Sequence, residues 1–132
     1  MTAPRESDPQ VLRARLLSVS DALPFEVTVR PMMGGYIGYA DGAVFVSLSR
    51  GGFGVKLTGQ DHADLLARPG AVPLRHGQDH PPSRTYVAVP PVDLDDDAFL
   101  TALLLRAGTA AVALTSRRPG ELDASNRYLP SA

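Results

Sequence analysis

Asp41-Gly42, set between Tyr36 to Ala40 and Ala43 to Ser49, constrains this chain more than any other dipeptide in it. Both central residues of a type I′ turn need positive φ, which Gly adopts freely and Asp tolerates, and the flanking runs hold β-branched and aromatic residues. Val44, Val46 and Leu48 are expected on one face of the second run, with Phe45 and Ser47 on the other. Upstream, Val27 and Val29 alternate with Thr28 and Arg30 until Pro31 interrupts; downstream, Arg50-Gly51-Gly52 turns the chain before Phe53, Val55 and Leu57 alternate again. Every connection is too short for a parallel crossover, so the segment reads as an antiparallel meander.

Helices bracket it. Ser7-Asp8-Pro9-Gln10 has the pattern of a capping box with Ser7 as N-cap, and Leu12, Leu16, Val19 and Leu23 follow at helical spacing, predicting a helix over 8–22. After the meander, Thr58 or Gly59 opens a short helix, Asp61 to Ala67, which Arg68-Pro69-Gly70 ends. Ala71 to Arg75 and Thr85 to Val89 are strand candidates on either side of a polar loop, His76 to Ser83. Pro90-Pro91 breaks the chain before a last helix. Its first turn holds Asp95, Asp96 and Asp97, its stripe runs from Leu100 through Leu103, Leu104, Ala107 and Ala111 to Leu114, and Arg117-Arg118 and Pro119-Gly120 mark its end. Acid at the start and base at the end complement the helix dipole. The expected fold is α+β and two-layered: an antiparallel sheet of five or six strands with helices packed on it, in the order helix, meander, helix, strand pair, helix. Residues 1–6 are expected to be a disordered N-terminus, 7–118 the domain and 119–132 a C-terminal tail.

Charge and composition narrow the function. The 132 residues include no cysteine, which removes disulfides and thiolate chemistry. Thirteen basic and fourteen acidic residues leave a net charge of −1, without the basic excess that phosphate neutralisation calls for, so direct nucleic-acid binding is not expected. Every basic residue except Lys56 is Arg, which reads as codon bias. No apolar run approaches the roughly 20 residues of a membrane span, and Met1 to Gln10 lacks the apolar core of a signal peptide. A cytoplasmic protein is expected.

Met32-Met33-Gly34-Gly35-Tyr36 followed by Asp41-Gly42-Ala43-Val44-Phe45, then Leu65 to Pro73, then Tyr86-Val87-Ala88-Val89-Pro90 before an acidic helix start, together resemble the N-terminal domain of the TfoX/Sxy family. Met33 stands where that family commonly has Phe. The resemblance covers roughly residues 20–115, and it implies a small α+β domain similar to the secretion-chaperone-like fold. In full-length competence regulators of this family a helical C-terminal domain follows, and those proteins act with the cyclic-AMP receptor protein at a subset of promoters. Residues 119–132 are too few for that second domain, so a stand-alone N-terminal domain is expected.

Among the motifs, Met32-Met33-Gly34-Gly35 carries two readings. The simpler one has the glycines permitting a bulge or kink between strands while the methionines fill the core. The functional one makes Met32, Met33, Gly34, Gly35 and Tyr36 an adaptable surface for a partner protein. Gly51-Gly52-Phe53-Gly54 lacks the Lys-Ser/Thr pair and following helix of a phosphate loop and reads as a hairpin turn. His76, Asp79 and His80 are ligand types without ligand spacing, and Asp93, Asp95, Asp96 and Asp97 read as a solvated helix cap. No catalytic residues, metal or cofactor are expected. The leading expectation is a non-enzymatic domain that works through protein contacts, as a transcriptional co-regulator of competence type. The alternative is a small-molecule-binding or minor enzymatic domain with a pocket between sheet and helices, lined by Tyr36, Tyr39 and Tyr86 and flanked by the His76–His80 loop. The expected partner is a protein of the transcription machinery, and exposed strand edges make a homodimer reasonable.

Overall fold

In the computed structural model the described residues are 7–75 and 81–116. The expectations for residues 1–6, for His76, Asp79 and His80, for Arg117 and Arg118, and for the tail 119–132 lie outside them.

Helix α1 runs from Pro9 to Ser20. Its cap is Asp8, one residue later than the capping-box pattern suggests: the Asp8 carboxylate accepts the Gln10 N–H at 2.9 Å. Pro9 opens the first turn and has no N–H to offer, so the nearest side-chain acceptor belongs immediately before it. Ser7 instead donates its backbone N–H to the Arg50 carbonyl at 3.1 Å, tying the helix start to the meander. Leu12, Leu16 and Val19 are buried as their spacing requires.

The meander forms four strands: β1 (Val27–Met32), β2 (Gly35–Ala40), β3 (Ala43–Ser49) and β4 (Gly52–Lys56). Helix α2 (Gly59–Leu66) follows from an N-cap at Thr58, then β5 (Val72–Pro73) and β6 (Tyr86–Ala88). One antiparallel sheet results, in the order β1-β2-β3-β4-β6-β5, with β6 laid beside β4 and β5 at the far edge. Asp41 (φ 47°) and Gly42 (φ 86°) make the expected two-residue turn. Asp41 also locks it to the start of β1, accepting the Glu26 N–H on its carboxylate at 2.8 Å while its own N–H donates to the Glu26 carbonyl at 2.8 Å.

The sheet corrects two expectations about side-chain placement. Met33 (φ 49°) and Gly34 (φ 84°) form a second two-residue turn, closed by the Met32–Gly35 pair, so the Met-Gly segment is a hairpin tip rather than a bulge. Its methionines do not fill the core: Met33 is 98% exposed and Met32 54%. The bulge lies instead on β3, where Gly38 pairs with Val46 but Tyr39 with Val44. The extra residue between them is Phe45, so Phe45 and Val46 are both fully buried, and strict alternation along β3 fails there. The Phe25 ring meets the Phe45 ring edge-on, with centroids 5.7 Å apart.

The last helical region is two elements, α3 (Pro91–Leu94) and α4 (Asp97–Ser116). Pro90 caps the short turn, Pro91 starts it, and Asp96 caps the long helix by accepting the Phe99 N–H at 3.0 Å. Contrary to the expectation that no apolar run approaches a membrane span, helix α4 is long and apolar enough, by length and composition, to cross one. It nevertheless packs its Leu100, Leu103, Leu104 and Ala107 on the sheet with α1, which makes it the core helix of a two-layer domain. Burying each such leucine contributes about 1.5–3 kcal/mol.

Candidate functional site

Alternation sorts each strand into residues that meet the helices and residues that face away. Gly38, Val46, Val55 and Val87 share one row across four strands on the helix side. Among the described residues no helix lies over the opposite face, although the fully buried Leu74 packs against it at Gly54. Its outward positions carry Thr28, Arg30 and Met32 on β1, Ile37 and Tyr39 on β2, Ser47 and Ser49 on β3, Lys56 on β4 and Tyr86 on β6.

A trough of about 700 Å³ crosses this open face. Met32, Met33 and Gly34 form its wall at the hairpin tip, Ile37 and Ser47 lie along it, and Ser49, Arg50 and Tyr86 close the other side. None of its lining residues is a carboxylate. Ser47 is buried although polar, opposite Gly54 on β4. Tyr86 is half-buried, and burial first, then its neighbour Tyr39, pushes its hydroxyl above the usual phenol range. Arg30 lies over the Tyr39 ring at 5.8 Å, while Arg13 reaches from α1 over Tyr36 at 5.7 Å.

The structure thus gathers Met32, Met33, Gly34 and Tyr36 at one end of the trough. Gly35 has a packing role: a Cβ there would collide with the Leu48 carbonyl oxygen, so β2 can close on β3 only with glycine at that point. Sequence reading missed Ile37, Ser47, Ser49 and Arg50. Their signal is the sheet register, which brings alternate residues of separate strands together and which no single segment carries.

A smaller groove of about 180 Å³ lies between the helices and the sheet, lined by Val44, Leu57, Asp61, Arg106 and Leu114 among others. Tyr36, Tyr39 and Tyr86 do not line this groove; Tyr36 and Tyr86 line the trough instead. No group of three or more His, Asp or Glu suited to a metal occurs among them either.

The aspartate run divides into different roles. Asp95, Asp96 and Asp97 are exposed, as a solvated cap requires, but Asp93 is only 7% exposed. Both of its carboxylate oxygens accept from Arg68, from Nε and a terminal nitrogen, each at 2.7 Å. Arg68 also lies over the Phe99 ring at 4.2 Å. This fork ties the end of α2 to α3 and α4. It holds the Asp93 carboxyl below the usual carboxylate range, chiefly through the Arg68 hydrogen bonds and against an opposing cost of burial. Pinning, rather than acid–base chemistry, is what this geometry does.

An α+β domain with helices on one sheet face and a trough on the other is the class of protein these observations define. The model of the TfoX N-terminal domain family matches residues 22–111, and the chain belongs to that family. The match begins after α1 and spans the whole sheet and most of α4. No curated protein and no solved structure matches the chain.

Proposed function

We propose that this TfoX N-terminal domain is a non-enzymatic, cytoplasmic co-regulator of transcription that works by holding a protein partner on its open sheet face. The observation that carries the reading is Met33: a fully exposed apolar side chain held at positive φ on the hairpin tip, beside a trough that Met32 and Ile37 continue. A bulky residue in that region of φ/ψ is a strained choice that turn formation alone disfavours. Methionine is also an adaptable contact residue.

The test is capture of partners from a lysate of the parent cell with wild-type and Met33→Asp protein. Retention of a polymerase or transcription-factor component by the wild type, lost in the variant, supports the proposal. No such component above background removes it. A second reading, a small-molecule site, draws on the trough volume, which falls within the roughly 300–1,000 Å³ usual for ligand pockets. A thermal-shift screen against metabolites and divalent metals tests it, and unchanged melting throughout would count against it.

A further inference from the structure

The near-neutral net charge of the chain hides a sharp division of charge between the two faces. The charged residues at outward strand positions are Arg30 and Lys56, both basic, and Arg50 lines the trough from the β3–β4 turn. The described acidic residues lie elsewhere: at the two ends of α1, at Glu26 and Asp41 on the end of the sheet away from the Met33 tip, on α2, and from Asp93 to Asp97. Among the described residues Arg30 has no ion-pair partner, and it lies over the Tyr39 ring. It is paired directly across from Ile37, one outward position along β1 from Met32. A cation and an apolar strip therefore sit side by side on the β1–β2 part of this face, which no described helix covers.

From this juxtaposition we infer that the open face takes an acidic segment of a partner protein, one that places apolar side chains against Met32, Met33 and Ile37 and carboxylates toward Arg30. The inference rests on the docking role proposed above and names the chemistry of its partner. Two other occupants fit less well. A second copy laid face to face would set Arg30 and Lys56 against the basic face of its twin, which costs energy. Single-stranded nucleic acid binds by stacking bases on free aromatic rings. Here Arg30 covers Tyr39, Arg13 covers Tyr36, and Tyr86 is half-buried.

Fluorescence anisotropy with the full chain and three labelled probes tests the inference. The probes are a short peptide alternating Glu with Leu and Phe, its counterpart with Gln for every Glu, and a short oligothymidylate. The acidic peptide is expected to bind most tightly, with affinity that falls as salt is raised. Arg30→Glu and Met32→Glu, both at exposed positions, are each expected to weaken it about tenfold or more, whereas Arg106→Glu on α4 leaves it unchanged. Equal binding of the Gln peptide, tighter binding of the oligothymidylate, or no binding of any probe would overturn the inference. If a transcription component is captured through Met33 from the lysate while Arg30→Glu leaves that capture intact, the docking role stands and the acidic partner falls.

Discussion

Met33 occupies a turn position that Asn, Asp or Gly fills at far lower conformational cost. A left-handed conformation costs a residue with a Cβ about 1–2 kcal/mol, and Met33 recovers none of it by burial, being 98% exposed. Met33→Gly is therefore expected to raise stability by about 1 kcal/mol in denaturant unfolding while weakening partner binding; an unchanged or lower midpoint would mean that the tip is not strained. Asp93 makes a different single-residue claim. Its folded-state carboxyl titrates below the unfolded value of about 3.9, so its contribution to stability is complete above that value and is lost as pH falls through the lower folded one. The melting temperature of the wild type should thus drop along an acid limb, and Asp93→Asn, less stable at neutral pH, should show a shallower one. Parallel acid limbs would refute the Arg68 pin. Nothing in the sequence separates Asp93 from its aspartate neighbours, because its partner lies twenty-five residues away and meets it only once α3 has formed.

At the scale of elements, the Asp-Gly turn and the β-branched runs specify the meander locally, and α1 and the apolar stripe of α4 follow from helical spacing. The second hairpin turn stayed hidden because Met-Gly is a poor turn signal beside Asp-Gly. The bulge stayed hidden because Phe45 and Val46 are both apolar, and alternation cannot say which is extra. Strand β1 is an edge, and Pro31 lies in it. The tight turn makes Met32–Gly35 a hydrogen-bonded pair, so Pro31–Tyr36 is the next, non-bonded pair and the Pro31 nitrogen points out of the sheet. A donor is thereby missing where another strand would dock. Pro31→Thr restores it and is expected to promote self-association, seen by light scattering as a mass that rises with concentration; a monomer throughout would show that the edge is protected by other means. On α4, Gly108 accepts the ring of Phe25, whose edge a Cβ at 108 would strike. Gly108→Ala should then lower stability by about 1–3 kcal/mol, as overpacking does, although alanine is the better helix former. A rise in melting temperature would show that Phe25 has room to move.

Across the described residues, helices bury one sheet face, acids gather on the helices and at one end of the sheet, and the other face carries Tyr39, Tyr86, Ser47 and Arg30 around a trough. Composition reports only the sum of these charges, which is why a balanced chain reads as electrostatically bland while one of its surfaces is basic. The Met32–Tyr36 end of the site was legible because its residues are contiguous; the Ile37, Ser47 and Tyr86 part needs the strand register. On the proposed function, the Met33 tip is where a protein partner docks. Photo-crosslinking in the parent cell from a benzoylphenylalanine at position 33, with the same group at the exposed Leu105 of α4 for comparison, tests it most directly. Adducts with a component of the transcription machinery are expected from position 33 and none from 105. Adducts no stronger at 33 than at 105 would contradict it.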